Sequence, residues 1–532
     1  MTGHIKFADP VGEKKEVRLC RRDTRDTRDS STIEKGSIHR PQSPGNDVVY
    51  LEGWQLVLTA IGLLIGFFLS NLDVTIVSSS LTNITDSLEG FEKRSWIITG
   101  YLATYTGFMA IWTKASDIVG RKHTTIAALV ILLVFSIACG CAQTVDQLIV
   151  FRALQGIGGA GAYALAILCI YEIAPRKKLP FYSALMSCCL ALACLIGPII
   201  GGVLAEDSAW RWVFFINAPL CAIAIIIVLV AMPKNFGLDQ HKPSFRTRAS
   251  YRSFVHLDLV GSLLIITGSF LIVTVFNETN LAFSWSSGGS IALLVLTGIS
   301  WIAFFAWEIY ISDIPGKDPI FPRRWFQDRA WMGILFTSFV TGAPFNVVLV
   351  YVPQQAQILL NKSPLDSGVY LIGYSAVAAA AAALINFISA KGRIPFIYSL
   401  LVGCIVHTVG IGLLSTIAST EGFHATDIVY GVIAGIGIGI IIGVLMLCTP
   451  YIVEDRDLGR LFPHELHILL ENVGLINGLG TALQREVKDV IAASYTTQLR
   501  VMIGFAAVQL PAVLLLLQRG KRPFAVNRES ND

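Results

Sequence analysis

The sequence predicts an all-α polytopic membrane protein, and three observations carry that expectation. Hydrophobic residues make up 54% of the 532 and charged residues only 15%, with a mean hydropathy of +0.62, so a water-soluble fold would lack the polar groups to cover its surface. After Val48 the apolar residues fall into runs of roughly 18 to 25, the length a helix needs to cross hydrocarbon. Short polar breaks separate the runs, and a helix within each run satisfies every backbone hydrogen bond internally.

Taken in order, the runs predict helices near 54–78, 95–114, 124–142, 146–171, 181–205 and 211–232, a first block of six spanning 48–232. A basic, polar loop follows at 233–256. Two additional helices, near 257–276 and 289–311, fill 257–311. The block 312–518 offers a second six, near 330–353, 367–390, 394–418, 425–449, 464–484 and 499–518, for about 14 transmembrane helices in all. The segment 464–484 has a short apolar centre with Glu465, Glu471 and Arg485 around it; it crosses sheltered between neighbours, lies at the interface or reflects an error in the sequence itself, so twelve or thirteen spans remain open. Residues 1–47 are too charged for a signal peptide and too poor in apolar groups for a core, and read as a disordered cytosolic tail, as do 519–532.

Charge placement sets the expected orientation. The net charge of +4 comes from basic residues dispersed between apolar runs, which argues against a nucleic-acid face. With the N-terminus inside, most of the 41 Lys and Arg fall in cytoplasmic tails and loops, as retention of positive charge on that side requires. The sequons at Asn83 and Asn277 then lie outside, open to glycosylation. Of ten cysteines, Cys20 is in the tail and the other nine are in apolar runs without disulfide or zinc spacing, as expected for small packing groups. The spans hold no grouping of His, Cys or acids that would assemble a catalytic or metal site, and no phosphate-binding G-x-x-x-x-G-K-[ST] loop, so neither an enzyme nor a cofactor is expected.

Polar residues inside apolar runs are the candidate functional groups, because burying a charge in hydrocarbon needs a reason. In the first helix, "FFLSNLDVTIVSSSL" sets Asp73 beside Asn71, Thr75 and Ser78. Asp73 reads either as a carboxylate that alternates between protonated and charged states or as a structural cap joining neighbouring helices. In the fourth, "LIVFRALQGIGGAGAYAL" places Arg152 ahead of glycines that admit a close helix neighbour; Arg152 either pairs with a carboxylate, polarises a proton site or reaches toward the interface. Between helices 2 and 3, "WTKASDIVGRKHT" puts Asp117 at a helix end and Arg121 and Lys122 after a Gly120 turn, a spacing suited to a charge lock on a gate. Helix 5 carries "CLIGPIIGGVL", where Pro198 removes a backbone donor while Gly197, Gly201 and Gly202 remove bulk. Gln354 and Gln355 follow Pro353 and are set to face a cavity or its mouth. Asn346, Asn386 and His407 are further polar groups within spans, and "AVAAAAAALINF" gives helix 10 a smooth surface. Asp258 and Glu308, at the ends of the two additional helices, read as proton relays or as structural interface groups.

These strings resemble the signatures of one family, the major facilitator superfamily. The 2–3 loop is similar to its G-x-L-x-D-R-x-G-R-[RK] motif, matching at Asp117, Gly120, Arg121 and Lys122 and departing at Thr113, Ala115 and Ile118. Arg152, Gln155 and Gly156 match its R-x-x-Q-G element. Helix 5 resembles the G-x-x-x-G-P-x-x-G-G element of its antiporters, with Ala193 in place of the first glycine. Leu72, Asp73, Thr75, Ile76 and Val77 look like the L-D-x-T-[IV]-V signature of the fourteen-spanner drug:proton antiporters, and the whole is similar to fungal exporters of toxins, secondary metabolites or drugs. The resemblance implies the major facilitator fold, two six-helix bundles plus two additional helices, acting as a monomer in the bilayer on a small-molecule substrate and protons. It implies export, most naturally across the plasma membrane; proton-coupled uptake, vacuolar loading of a nutrient or chelate, and a non-transporting sensor remain open.

Overall fold

The computed structural model describes residues 53–90, 93–175, 178–206, 209–233, 258–278, 284–314, 319–321, 323–327, 329–359, 371–390, 396–416, 425–452, 500–511 and 513. Every regular element among them is helical. We number the long helices α1 (Gly53–Ser87), α2 (Arg94–Val119), α3 (Arg121–Gly140), α4 (Val145–Ile173), α5 (Leu179–Glu206) and α6 (Trp212–Ala231). These are followed by α7 (Leu259–Glu278), α8 (Gly288–Ser312), α9 (Arg329–Leu359), α10 (Ile372–Ala390), α11 (Phe396–Leu414), α12 (Ala425–Ile452) and α13 (Arg500–Pro511). A single turn of helix, Arg323–Gln327, precedes α9.

Ten of these helices are long and apolar enough to cross a membrane. Two shorter apolar stretches, Val260–Val275 in α7 and Arg500–Pro511, fall on further expected spans. The remaining one, α2, is 26 residues long but rich in Tyr, Thr and Trp, and it is covered by α4 on one side and α7 on another. Its modest apolarity fits a helix whose neighbours are protein more than lipid. The expected span at 464–484 and both tails lie outside the described residues.

Several helices outrun the apolar stretch that predicts them. The first was expected to end near 78, yet α1 continues to Ser87. Its extra turns are built from Ser and Thr whose hydroxyls donate back to their own helix, as Ser78 does to Thr75 O (2.8 Å) and Ser80 to Ile76 O (3.1 Å). That satisfies polar groups without leaving the helix. The outer faces carry Ile302, Val230 and Val409 exposed, the surface expected when hydrocarbon is the solvent. The chain is an integral membrane protein.

Glycine sets how closely the helices approach. On α4, a Cβ at Gly158 would strike the backbone of Leu132 on α3, and one at Gly156 would strike the Tyr101 carbonyl on α2. On α5, the space beside Gly197 holds Thr75 and the space beside Gly201 holds Ser79 and the Ile76 carbonyl, both on α1. The α5 helix runs unbroken through Pro198. The second half uses the same device: Gly435, Gly439 and Gly443 of α12, four residues apart and so on one face, meet Tyr374, Ala378 and Ala382 of α10. This explains the smooth alanine run of α10: its partner is a glycine stripe.

Helices α1 to α6 pack on one another, α10 and α11 pack on α12, and α5 joins the two groups through contacts with α10 and α12. The pair α7–α8 packs on itself and lies along α2.

Candidate functional site

Asp73 is completely buried, and five helices converge on it. Its Oδ2 accepts a hydrogen bond from the Arg152 guanidinium on α4, closing an ion pair of two side chains with essentially no exposed surface. Its Oδ1 accepts from Gln155 Nε2 and from Asn217 Nδ2 on α6, each at 2.9 Å. Gln155 also donates to Ser136 Oγ on α3 (2.9 Å), and its Oε1 accepts from Arg152 NH1 (2.9 Å). Arg152 is further held by the Ile97 carbonyl (3.3 Å) and by the Tyr101 ring of α2, whose centroid lies 4.2 Å from the guanidinium carbon. Such a pair survives burial only because nearly every donor and acceptor is met.

This arrangement removes one alternative left open by the sequence, since Arg152 turns inward to Asp73 instead of reaching the interface. Asn71 does not join the cluster. Two residues from Asp73 on a helix, it points about 200° away and donates to its own helix at Phe67 O (2.7 Å). Asn217, Ser136 and Tyr101 belong to the site but were not singled out beforehand. The available signal for Asn217 was a lone amide in the apolar string "FFINAP".

The 117–122 loop forms a second cluster at the end of the bundle where α2 turns into α3, here called the gate-loop end. Gly120 makes the turn with φ of +105°, a conformation L side chains rarely adopt. Arg121 pairs with Asp117 at 2.5 Å and grips Glu172 of α4 with both arms of its fork, NH2 to Oε1 at 2.6 Å and Nε to Oε2 at 2.9 Å. It also donates to Ser116 Oγ. Lys122 instead caps α6, donating to the carbonyls of Leu229 (2.7 Å) and Met232 (2.5 Å). Glu172 is the partner that reading the loop alone missed, because it lies 51 residues away on another helix.

One residue before Glu172, the Tyr171 hydroxyl donates to the Met446 carbonyl of α12 at 2.7 Å, tying the two helix groups together at the gate-loop end. Between those groups lies a small cavity lined by Ser187, Leu190 and Cys194 of α5, Phe345 of α9, Tyr374 and Ala378 of α10, and Gly439 of α12. Its wall connects to the ion pair through α1: Thr75, two residues after Asp73, donates to the carbonyl of Ala193, the neighbour of Cys194, at 3.1 Å.

Gly197, Gly201 and Gly202 are on α5 beside α1, with Ser80 donating to Gly201 O at 2.8 Å. Gln354 and Gln355 are on α9 and Asn277 is on α7, but their side chains lie outside the described residues. Asn83 is partly buried, about one turn from the end of α1.

Residues 63–462 match the family model of the Major Facilitator Superfamily. The chain belongs to that superfamily. Among curated relatives, the MFS-type transporter FPY5 of Fusarium mangiferae is 32% identical over 513 residues, covering 89% of this chain and 85% of its own. The efflux pump dotC of Dothistroma septosporum is 30% identical, covering 72% and 63%. Multidrug resistance protein 3 of Bacillus subtilis is 26% identical, covering 75% and 74%. In fold, the chain is similar to the human organic anion transporter MFSD10, with a TM-score of 0.54, 12% identity and coverage of 88% and 100%. A double Trp mutant of the xylose transporter XylE from E. coli gives a TM-score of 0.55 at 12% identity, covering 88% and 98%. This facilitator is therefore a membrane transporter of small molecules and not an enzyme.

Proposed function

We propose that the protein exports a small organic molecule, of the toxin, secondary-metabolite or drug kind, in exchange for protons. The observation that carries this reading is the pairing of Asp73 with Arg152 at zero exposure, on a helix that touches the wall of the inter-bundle cavity. A proton on Asp73 neutralises the carboxylate, and Arg152 keeps three non-ionic partners: Gln155 Oε1, the Ile97 carbonyl and the Tyr101 ring. The ion pair can therefore open without stranding the cation. The change in α1 reaches α5 through the Thr75 bond and the Gly197 and Gly201 contacts, reshaping the cavity where substrate would sit.

In this reading the gate-loop end faces the cytoplasm. The Arg121 cluster with Asp117 and Glu172 and the Tyr171–Met446 bond hold it shut, and they must break for substrate to enter from inside. The cavity is too small for substrate as it stands, and its predominantly apolar wall suits an uncharged or amphipathic organic substrate once the two helix groups part to enlarge it. Names of the relatives support export: one is an efflux pump and another a multidrug resistance protein. The protein works as a monomer in the plasma membrane, with Asn83 and Asn277 on the outer side as glycan acceptors and Gln354 and Gln355 near the substrate path.

Inverted vesicles from cells expressing the protein test this. They are given an acid interior and an organic extract of fungal culture medium, and retained compounds are read by mass spectrometry. Gradient-dependent retention of at least one compound, lost when the gradient is collapsed, is expected. Retention only under the opposite gradient would show uptake instead.

A further inference from the structure

The two helices between the bundles hold buried acids that the Asp73 site does not use. Asp258 stands at the start of α7, where its Oδ1 accepts from the Gly261 backbone N–H at 2.8 Å and from the Trp307 indole N–H at 2.7 Å. Glu308, about a turn from the end of α8, accepts at Oε2 from the Phe321 backbone N–H at 2.8 Å. Their other oxygens, Asp258 Oδ2 and Glu308 Oε1, have no donor, and both occupy the space where a Cβ on Gly261 would stand. The residues are 3% and 0% exposed. Lys114 of α2 is the cation facing the pair among the described residues, with its ammonium bonded to the Pro319 carbonyl at 2.9 Å. Asp313 and Arg323, further out, are exposed and pair with each other.

Two buried carboxylates with donorless oxygens converging on one point repel strongly, and in this conformation neither is hydrated. A single proton converts that repulsion into a hydrogen bond and satisfies both orphaned atoms. We infer that Asp258 and Glu308 form a proton-binding site on the linker helices, holding one shared proton between Glu308 Oε1 and Asp258 Oδ2. The proton comes from water, and its loss returns a second negative charge to the pair. The site lies where α2, α8 and residues 319–321 meet. Deprotonation therefore sets α7 against α8 beside Lys114 of α2, one turn before Asp117 of the gate loop. Rising pH on that side weakens the junction. This inference does not depend on Asp73 carrying coupling protons, because its test needs no transport.

Infrared pH-difference spectra of the purified full-length protein in lipid nanodiscs read the proton directly. The wild type is expected to show the carbonyl stretch of an un-ionised carboxyl that disappears as pH rises. Glu308→Gln and Asp258→Asn are each expected to lose this feature, because an amide N–H takes the place of the shared proton while keeping the shape. Trp307, bonded to Asp258, is expected to shift its emission with the same midpoint in the wild type and not in Glu308→Gln. Persistence of the wild-type carboxyl feature in both variants would overturn the proposal. So would spectra that respond to sodium or potassium at fixed pH, which would make the occupant a metal cation.

Discussion

At Asp73 and Arg152 the two members of the pair are not equivalent. Replacing Arg152 by Met leaves a buried carboxylate facing only amide donors, and breaking a buried pair from one side typically costs about 3–5 kcal/mol. Asp73→Asn instead leaves a neutral acceptor and the cation's three other partners. Thermal melting in detergent should therefore show Arg152→Met less stable than Asp73→Asn at alkaline pH, with the gap closing as pH falls and a proton neutralises Asp73. Asp73 and Arg152 were legible in the sequence because a charge within an apolar run is conspicuous, and Gln155 only through its place in the R-x-x-Q-G element. Asn217 and Ser136 were not, since a polar residue's membership in a site depends on helix rotation and register, which one chain's pattern does not reveal. The same limit hid Glu172, an ordinary acid near a helix end until Arg121 is seen to grip it.

Among the helices, the legible property was length and apolarity, and the illegible one was contact. The glycines of α4 announced a close neighbour, but only packing shows that Gly158 faces α3 while Gly156 faces α2. The alanine run of α10 was recognised as smooth without its partner, the Gly435, Gly439 and Gly443 stripe of α12. Overpacking such a seam typically costs about 1–3 kcal/mol. Gly439→Val should accordingly lower the melting temperature, whereas the same change at Gly298 of α8, which is exposed with open space beside it, should leave it nearly unaltered. The end of α1 was misjudged because hydropathy falls at Ser78, although the helix goes on with its hydroxyls bonded internally.

For the molecule as a whole, the two helix groups meet at the gate-loop end through the Tyr171 hydroxyl and along α5 with α10 and α12. A typical hydrogen bond contributes about 0.5–1.5 kcal/mol net, so Tyr171→Phe should raise the population open at that end by about two- to tenfold. Spin-label distances between the ends of α4 and α12 would report it, and Glu172→Gln should shift them in the same direction. The central claim is that a buried carboxylate turns proton movement into substrate movement. Its most direct test compares two assays of Asp73→Asn in the same vesicles, using the compound retained by the wild type. Accumulation driven by a pH gradient should be lost while gradient-free substrate exchange persists. Gradient-driven accumulation at the wild-type level, with Asp73 replaced, would contradict the account.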